Sequence, residues 1–346
     1  MKVLEMPRVS DGCRYTVVTL RSIIFFTLTL LVNPLRAEWF EQVDQAMGTE
    51  ISVQLWAESA VSGEKAIKAV LAEMHRIDRE FSPYKSDSQL SKLNLGARSR
   101  VVEVSSEMLY LLDKSGRVSE LSNGAFDITF ASVGKFYNYR KGVKPSDRKI
   151  AALDSAVNYQ HVVLDREART VGFSNPEVAI DLGGIAKGHA VDRSIVILKS
   201  LGIKHAMVSA GGDSKLLGDK RGKPWITAIK DPRGDGASLL LPLENAAIST
   251  SGDYERYFLD GETGERHHHI LIPQTGRSAS TLQSVTIIGE DSTTCDALST
   301  TVFVMGAKAG LKLINRLPGI DAVIIDAQGL LHYSEDLQQA APANNS

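Results

Sequence analysis

Apolar and polar positions change their spacing several times along this chain, and each change marks an element. Thr49 to Trp56 (TEISVQLW) alternates residue by residue, the period of a strand with one buried face. From Ser62 to Phe81 the apolar residues Ile67, Val70, Leu71, Met74 and Ile77 recur at helical spacing, with Ser62 placed as the N-cap. A second helix is expected over Ser106 to Leu121, stopped by Asn123-Gly124. Strands are then expected at residues 161–165, 170–173 and 178–181, followed by a helix over 187–201 that ends at Gly202. The second half reads as strands at 206–209, 225–230, 246–249 and 284–288. Helices at 294–305 and 307–316 come next, and a strand at 322–325 follows. Successive strands joined by short turns favour antiparallel pairing, so the expected fold class is α+β, with mixed, largely antiparallel sheets flanked by helices. A length of 346 residues fits one large domain or two closely packed lobes.

The N-terminus follows another logic. Lys2, Arg8, Arg14 and Arg21 precede an apolar run, Ile23 to Val32, which ends at Asn33-Pro34-Leu35-Arg36-Ala37. A basic stretch, about ten apolar residues and a small residue describe a secretory signal peptide. A membrane span would need about 20. Residues 1–37 are therefore expected to be a leader, residues 38–336 the folded domain and residues 337–346 a polar tail. The protein would be exported to the periplasm, or held at the inner membrane if the leader stays uncut.

The whole chain has 39 basic and 41 acidic side chains, and the leader takes five and two of them, leaving 34 against 39, a net of −5. A mildly acidic protein without basic runs is not built to bind nucleic acid. Only Cys295 remains after the leader is removed, so no internal disulfide is available and the core must carry stability.

Four segments carry candidate chemistry. Asp181-Leu-Gly-Gly-Ile-Ala-Lys-Gly188 leads into a helix, whose N-terminus and Lys187 suit a phosphate, while Asp181 suits a ring or ribose donor. The bland alternative is a tight turn with a surface lysine. Ser209-Ala-Gly-Gly-Asp213 reads equally well as a turn. Ser249-Thr-Ser-Gly-Asp-Tyr254 precedes His267-His-His-Ile-Leu-Ile-Pro-Gln-Thr-Gly276. Adjacent residues of an extended segment point to opposite faces, so three histidines cannot converge on one ion. One inward histidine acting as base or ligand contact is the stronger reading, with a solvated loop as the alternative. In Thr294-Cys-Asp-Ala-Leu-Ser-Thr-Thr301, Asp296 and Thr300 share a helix face and offer the hard oxygens that Mg²⁺ prefers. Equally, Asp296 could cap the helix and Thr300 could bond back to its own backbone.

In their joint order these segments resemble the ApbE family, the FAD:protein FMN transferases. The likeness runs from Met47-Gly-Thr49 through Phe81-Ser-Pro-Tyr84 with Ser88, Ser91 and Asn94, and Gly124-Ala-Phe-Asp-Ile-Thr129. It continues through DLGGIAKG, AGGD at 210–213, TSGD at 250–253, HHI at 268–270, Thr275-Gly276 and DALST at 296–300. The resemblance implies FAD held between two lobes, with contacts from Met47, Tyr84, Ala125, Phe126, Asp127, Asp181, Lys187, Thr250, Ser251, Gly252 and Ile270. It implies Mg²⁺ held by the Gly184 carbonyl, Asp296 and Thr300, and a catalytic set of His269, Lys187 and Asp296. Some members have an acid where Ser299 stands, and many have Asp where Ile272 stands.

The reaction so implied is Mg²⁺-dependent transfer of FMN from FAD to a Thr or Ser hydroxyl through a phosphodiester, with AMP released. The implied partner is an exported or membrane redox protein carrying Asp-Gly/Ser-x-Ser/Thr-Gly-Ala-Thr/Ser. Two other readings use the same residues: an FAD pyrophosphatase giving FMN and AMP, and a non-catalytic flavin-binding protein.

Overall fold

Ile51, Val53 and Leu55 are fully buried while their neighbours are half-exposed, so period-two patterning sets the faces of the strand Thr49–Ala57. The computed structural model describes residues 37–340. The expected leader, through residue 36, and the tail from 341 onward lie outside the described residues. Eight strands make the central sheet: β1 (Glu38–Ala46), β2 (Thr49–Ala57), β3 (Ala206–Ala210), β4 (Asp213–Leu217), β5 (Ala247–Gly252), β6 (Leu282–Gly289), β7 (Asp321–Asp326) and β8 (Leu331–Tyr333). Their spatial order equals their chain order and every neighbour is antiparallel, so the sheet is one long meander with helices inserted in its connections.

Those helices cover one face in sequence. Helix α1 (Ala60–Phe81) lies on β1 and β2, and α2 (Gln89–Gly96) and α3 (Ser106–Leu121) follow it in the chain. Helix α4 (Ala186–Ser200) lies on β3 and β4, α5 (Ser292–Met305) on β5 and β6, and α6 (Ala307–Ile314) on β7. The largest buried cluster joins α1, α3 and α4 to β2 and β3. A second, with Phe303, Leu298 and Val285, lies under α5 and α6. Fully burying one such Leu, Ile or Phe contributes about 1.5–3 kcal/mol. On the opposite face, Trp39, Met207, Leu216 and Ile248 are covered by the antiparallel pair Trp225–Lys230 and Ala237–Leu243. The α+β, largely antiparallel expectation holds.

Three local expectations change. Helix α1 is capped by Ser59, not Ser62. The two serines form a reciprocal box in which Ser62, at the third helical position, donates to the Ser59 carbonyl and accepts from its N–H. Residues 178–181 form no strand: Ala179 N–H goes to Ser132 Oγ, Ile180 to both ends of the Asn94 amide at 2.8 Å each, and Asp181 N–H to the Ile128 carbonyl. Residues 335–340, partly assigned to the tail, are a short helix.

Candidate functional site

Strand parity decides what faces helices α4 and α5. Asp213 pairs with Ala210 and Ser249, which puts Asp213, Ser249 and Ser251 on the side of the buried Val208 and Val53, beneath the helices. Opposite them, α4 contributes Lys187 and α5 contributes Asp296. The Lys187 Nζ lies 2.8 Å from Asp213 Oδ2 and 3.2 Å from Asp296 Oδ1, and it also donates to the Gly183 carbonyl at 3.2 Å. Asp296 accepts from the Gly188 N–H at 3.0 Å. Both carboxylates are almost wholly buried.

Two acids and one ammonium would leave this buried cluster one negative charge in excess once both acids are ionised. Burial pushes Asp296 up, to about 7, and neighbouring Asp213 pushes the same way against the pull of Lys187. Burial alone would lower Lys187, but Asp213 and Asp296 hold it well above an ordinary lysine, so it stays charged.

A ladder of hydroxyls continues from the cluster. Ser249 donates to Asp213 Oδ1 at 2.5 Å and meets Ser299 at 3.1 Å. Ser251 lies 2.8 Å from Ser299 and 3.3 Å from Thr300. Ser299 donates to the Asp296 carbonyl at 2.9 Å and is a neutral link in this ladder. Gly184 adjoins this end, since a Cβ there would meet Thr300 Oγ1 at 3.4 Å and the Phe126 ring at 3.3 Å.

Of the expected Mg²⁺ donors, Asp296 and Thr300 lie one turn apart on α5, and Gly184 lies against Thr300; all three offer oxygen. These residues fit a hard divalent cation. Among the described residues no group of three or more His, Cys, Asp or Glu side chains could form a metal cage. The three histidines diverge. His267 packs on Phe258 and meets Lys144 at 3.1 Å, while His268 bonds the Ala279 carbonyl and packs edge-on against Phe303. His269 stays half-buried, and among the described residues its buried Nδ1 has no hydrogen-bond partner. Burial, with the charges of Arg256, His268 and Lys187, pushes His269 down to about 3, so its ring is neutral at physiological pH.

The other expected FAD contacts divide. Asp181 is held by the Asn94–Ile180 clamp, donates its N–H to the Ile128 carbonyl and accepts from the Gly183 N–H at 2.6 Å. Burial raises its carboxyl, and the charges of Arg256 and Lys187 reach it. Asp127 has both oxygens occupied, Oδ1 by Thr129 N–H and Oγ1 at 2.8 and 2.6 Å, and Oδ2 by Tyr159 N–H at 2.8 Å. In this structure it caps the short helical turn Ile128–Phe130 that follows Ala125 and Phe126. Phe126 is buried beside Gly184, whereas Tyr84 is 85% exposed. Met47 takes a positive φ of 54° in the β1–β2 turn. Thr250 bonds Thr286 across the sheet on the face away from Asp213, Gly252 packs under Tyr254, and Ile270 is buried in the second core.

Sequence reasoning did not name Asp213, Ser249 or Arg256 as site residues. For Asp213 the usable signal was Gly-Gly-Asp at the start of a strand whose parity faces inward. Arg256, whose guanidinium reaches the Gly48 carbonyl at 3.3 Å and whose charge reaches Asp181 and His269, carried no signal beyond its place after TSGD.

The profile of the ApbE family matches residues 47–324. The FAD:protein FMN transferase of Vibrio cholerae is 31% identical over 83% of this chain and 88% of its own length. That of Haemophilus influenzae is 30% identical over 79% and 82%. Among solved structures, the ApbE protein of Thermotoga maritima superposes with a TM-score of 0.81 at 37% identity, over 87% of this chain and 99% of its own. The flavin transferase ApbE of Vibrio cholerae gives 0.78 at 27%, over 88% and 99%. With the ordered motifs, the meander and the profile in agreement, this chain belongs to the ApbE family.

Proposed function

We propose that this protein transfers FMN from FAD to a Thr or Ser hydroxyl of a target protein, joining them by a phosphodiester and releasing AMP. The observation that carries the reading is the buried Asp213–Lys187–Asp296 cluster, two acids on one ammonium, whose Lys187 charge reaches Asp181 and His269. The relatives named FAD:protein FMN transferase supply the substrate class.

Asp296, Thr300 and the Gly184 carbonyl would hold Mg²⁺, which when bound neutralises charge on a pyrophosphate. Lys187 adds a fixed ammonium at the foot of α4, where the cap residue Ile185 offers no side-chain acceptor to the first turn's N–H groups. Asp181 orients the flavin end. His269, neutral and close to these charges, accepts the proton of the incoming hydroxyl as its oxygen bonds the FMN phosphorus and the bond to AMP breaks. A bound pyrophosphate beside the imidazole offsets Arg256 and Lys187 and raises its basicity. The acceptor expected is an exported or membrane redox protein with the Asp-Gly/Ser-x-Ser/Thr-Gly-Ala-Thr/Ser pattern. We place the protein in the periplasm after cleavage at Ala37. The first strand starting at Glu38 supports this, since such a cut would spare the domain.

The test is AMP release from FAD by the mature protein, with and without an acceptor domain, in Mg²⁺ and in chelator. Acceptor- and Mg²⁺-dependent AMP supports the reading. AMP with free FMN and unmodified acceptor would make the protein an FAD pyrophosphatase.

A further inference from the structure

Lys187 and a divalent cation on Asp296 would place two cationic centres side by side in a buried pocket, and something must keep the lysine there. Asp296 cannot serve, because a carboxylate committed to the cation no longer balances the ammonium. Of the contacts Lys187 makes, the Gly183 carbonyl is neutral and Asp213 is the other anion, at 2.8 Å against 3.2 Å for Asp296. We propose that Asp213 is a positioning residue that holds the Lys187 ammonium beside the cation site when Asp296 turns to the cation. This rests on the Mg²⁺ reading above, which counts the charge of Asp213 but gives that residue no task of its own.

Asp213 is built to stay in place. Its Oδ1 is held by Ser249 at 2.5 Å, leaving Oδ2 for the lysine. It opens β4 directly after the two-glycine turn, where Gly211 takes a φ of +61° and Gly212 packs so tightly that a Cβ would lie 2.4 Å from the Thr250 carbonyl. Thr250 N–H in turn donates to the Gly212 carbonyl at 2.9 Å. The turn is therefore pinned to β5, and the Asp213 backbone is paired on both sides, with Ala210 and with Ser249. The pair Asp213–Lys187 carries no net charge, so it lets the lysine persist next to a dication that would otherwise repel it.

The experiment is a cycle of Asp213→Asn, Lys187→Met and the double variant, all in the mature protein. Mg²⁺ binding is read by calorimetry, turnover at saturating Mg²⁺ and FAD, and folding by thermal midpoint. Asp213→Asn should lose about 10–100-fold in turnover, as second-layer partners do. Its Mg²⁺ dissociation constant should move far less, and the double variant should match Lys187→Met alone. A double variant that multiplies the two single losses would overturn the proposal, because Asp213 would then act without Lys187. Collapse of Mg²⁺ binding in Asp213→Asn, deeper than in Lys187→Met, would also overturn it by making Asp213 a ligand. If Asp213→Asn unfolds, Ser249→Ala keeps the charge but frees it. That variant should lose turnover in the wild-type background and none further in Lys187→Met, and a loss equal in both would overturn the proposal. Failure of the functional reading shows separately, as a wild type that binds no Mg²⁺ or releases no AMP.

Discussion

Gly188 and Asp296 meet where two helices touch: the Gly188 N–H donates to Asp296 Oδ2 at 3.0 Å, and no side chain could stand between them. A Cβ on Gly188 would lie 2.2 Å from the Ser292 carbonyl and 2.8 Å from Asp296 Cβ. The helix carrying Lys187 and the helix carrying Asp296 are thus spaced by one missing methyl. Gly188→Ala should cost about 1–3 kcal/mol by overpacking, read as a lower urea midpoint. It should also weaken Mg²⁺ binding, whereas Ala at the open Gly116 should do neither.

Asp181 is aimed from outside any strand. The Asn94 amide spans Ile180 N–H and C=O and supports the extended backbone that a strand neighbour would otherwise support. Asn94→Ala should cost about 1–3 kcal/mol for the unpaired backbone groups and should raise the FAD dissociation constant. Denaturant unfolding and flavin fluorescence quenching measure the two effects.

His269→Ala should cut transfer by about 10²–10⁴-fold, the usual range for a lost general base. FAD affinity should change little by comparison. Parallel loss of binding and rate would make His269 a binding residue instead.

The carboxylate of Asp296 competes between a proton and a cation. Its pKa is raised by burial and by Asp213, so the folded protein binds this proton more tightly than the unfolded chain does. This group therefore favours the fold at low pH, and that contribution is lost as pH rises from the usual carboxylate range to neutrality. Mg²⁺ binding runs the other way, weakening as pH falls from 8 to 6 because the cation must displace the proton. Calorimetry across that range should show it, with protons released on binding. Asp296→Asn should abolish both the binding and its pH dependence while the thermal midpoint is kept or raised.

Much of this was legible in residue order. Helix α3 falls on its expected bounds because its apolar spacing and the Asn123-Gly124 stop agree, both residues taking positive φ. Strand β1 left no trace. Its burial does not alternate, since at the sheet edge most of its side chains are partly open. The pair Asp296 and Thr300 could be read from a one-turn spacing. Asp213 could not be assigned, because its partner Lys187 is 26 residues away and only the pairing of β3, β4 and β5 brings the two together. For Asp127 residue order gave no sign that its carboxylate would accept from both Thr129 on its own turn and Tyr159, 32 residues on.

The most direct test of the account is the intact mass of an acceptor domain after incubation with the mature protein, FAD and Mg²⁺. The acceptor should gain one FMN, less water, on a Thr or Ser, with one AMP released per modification. Neither should occur with Asp296→Asn. An acceptor of unchanged mass while FAD is split to FMN and AMP, or FAD left intact by a protein that binds it, would contradict the account.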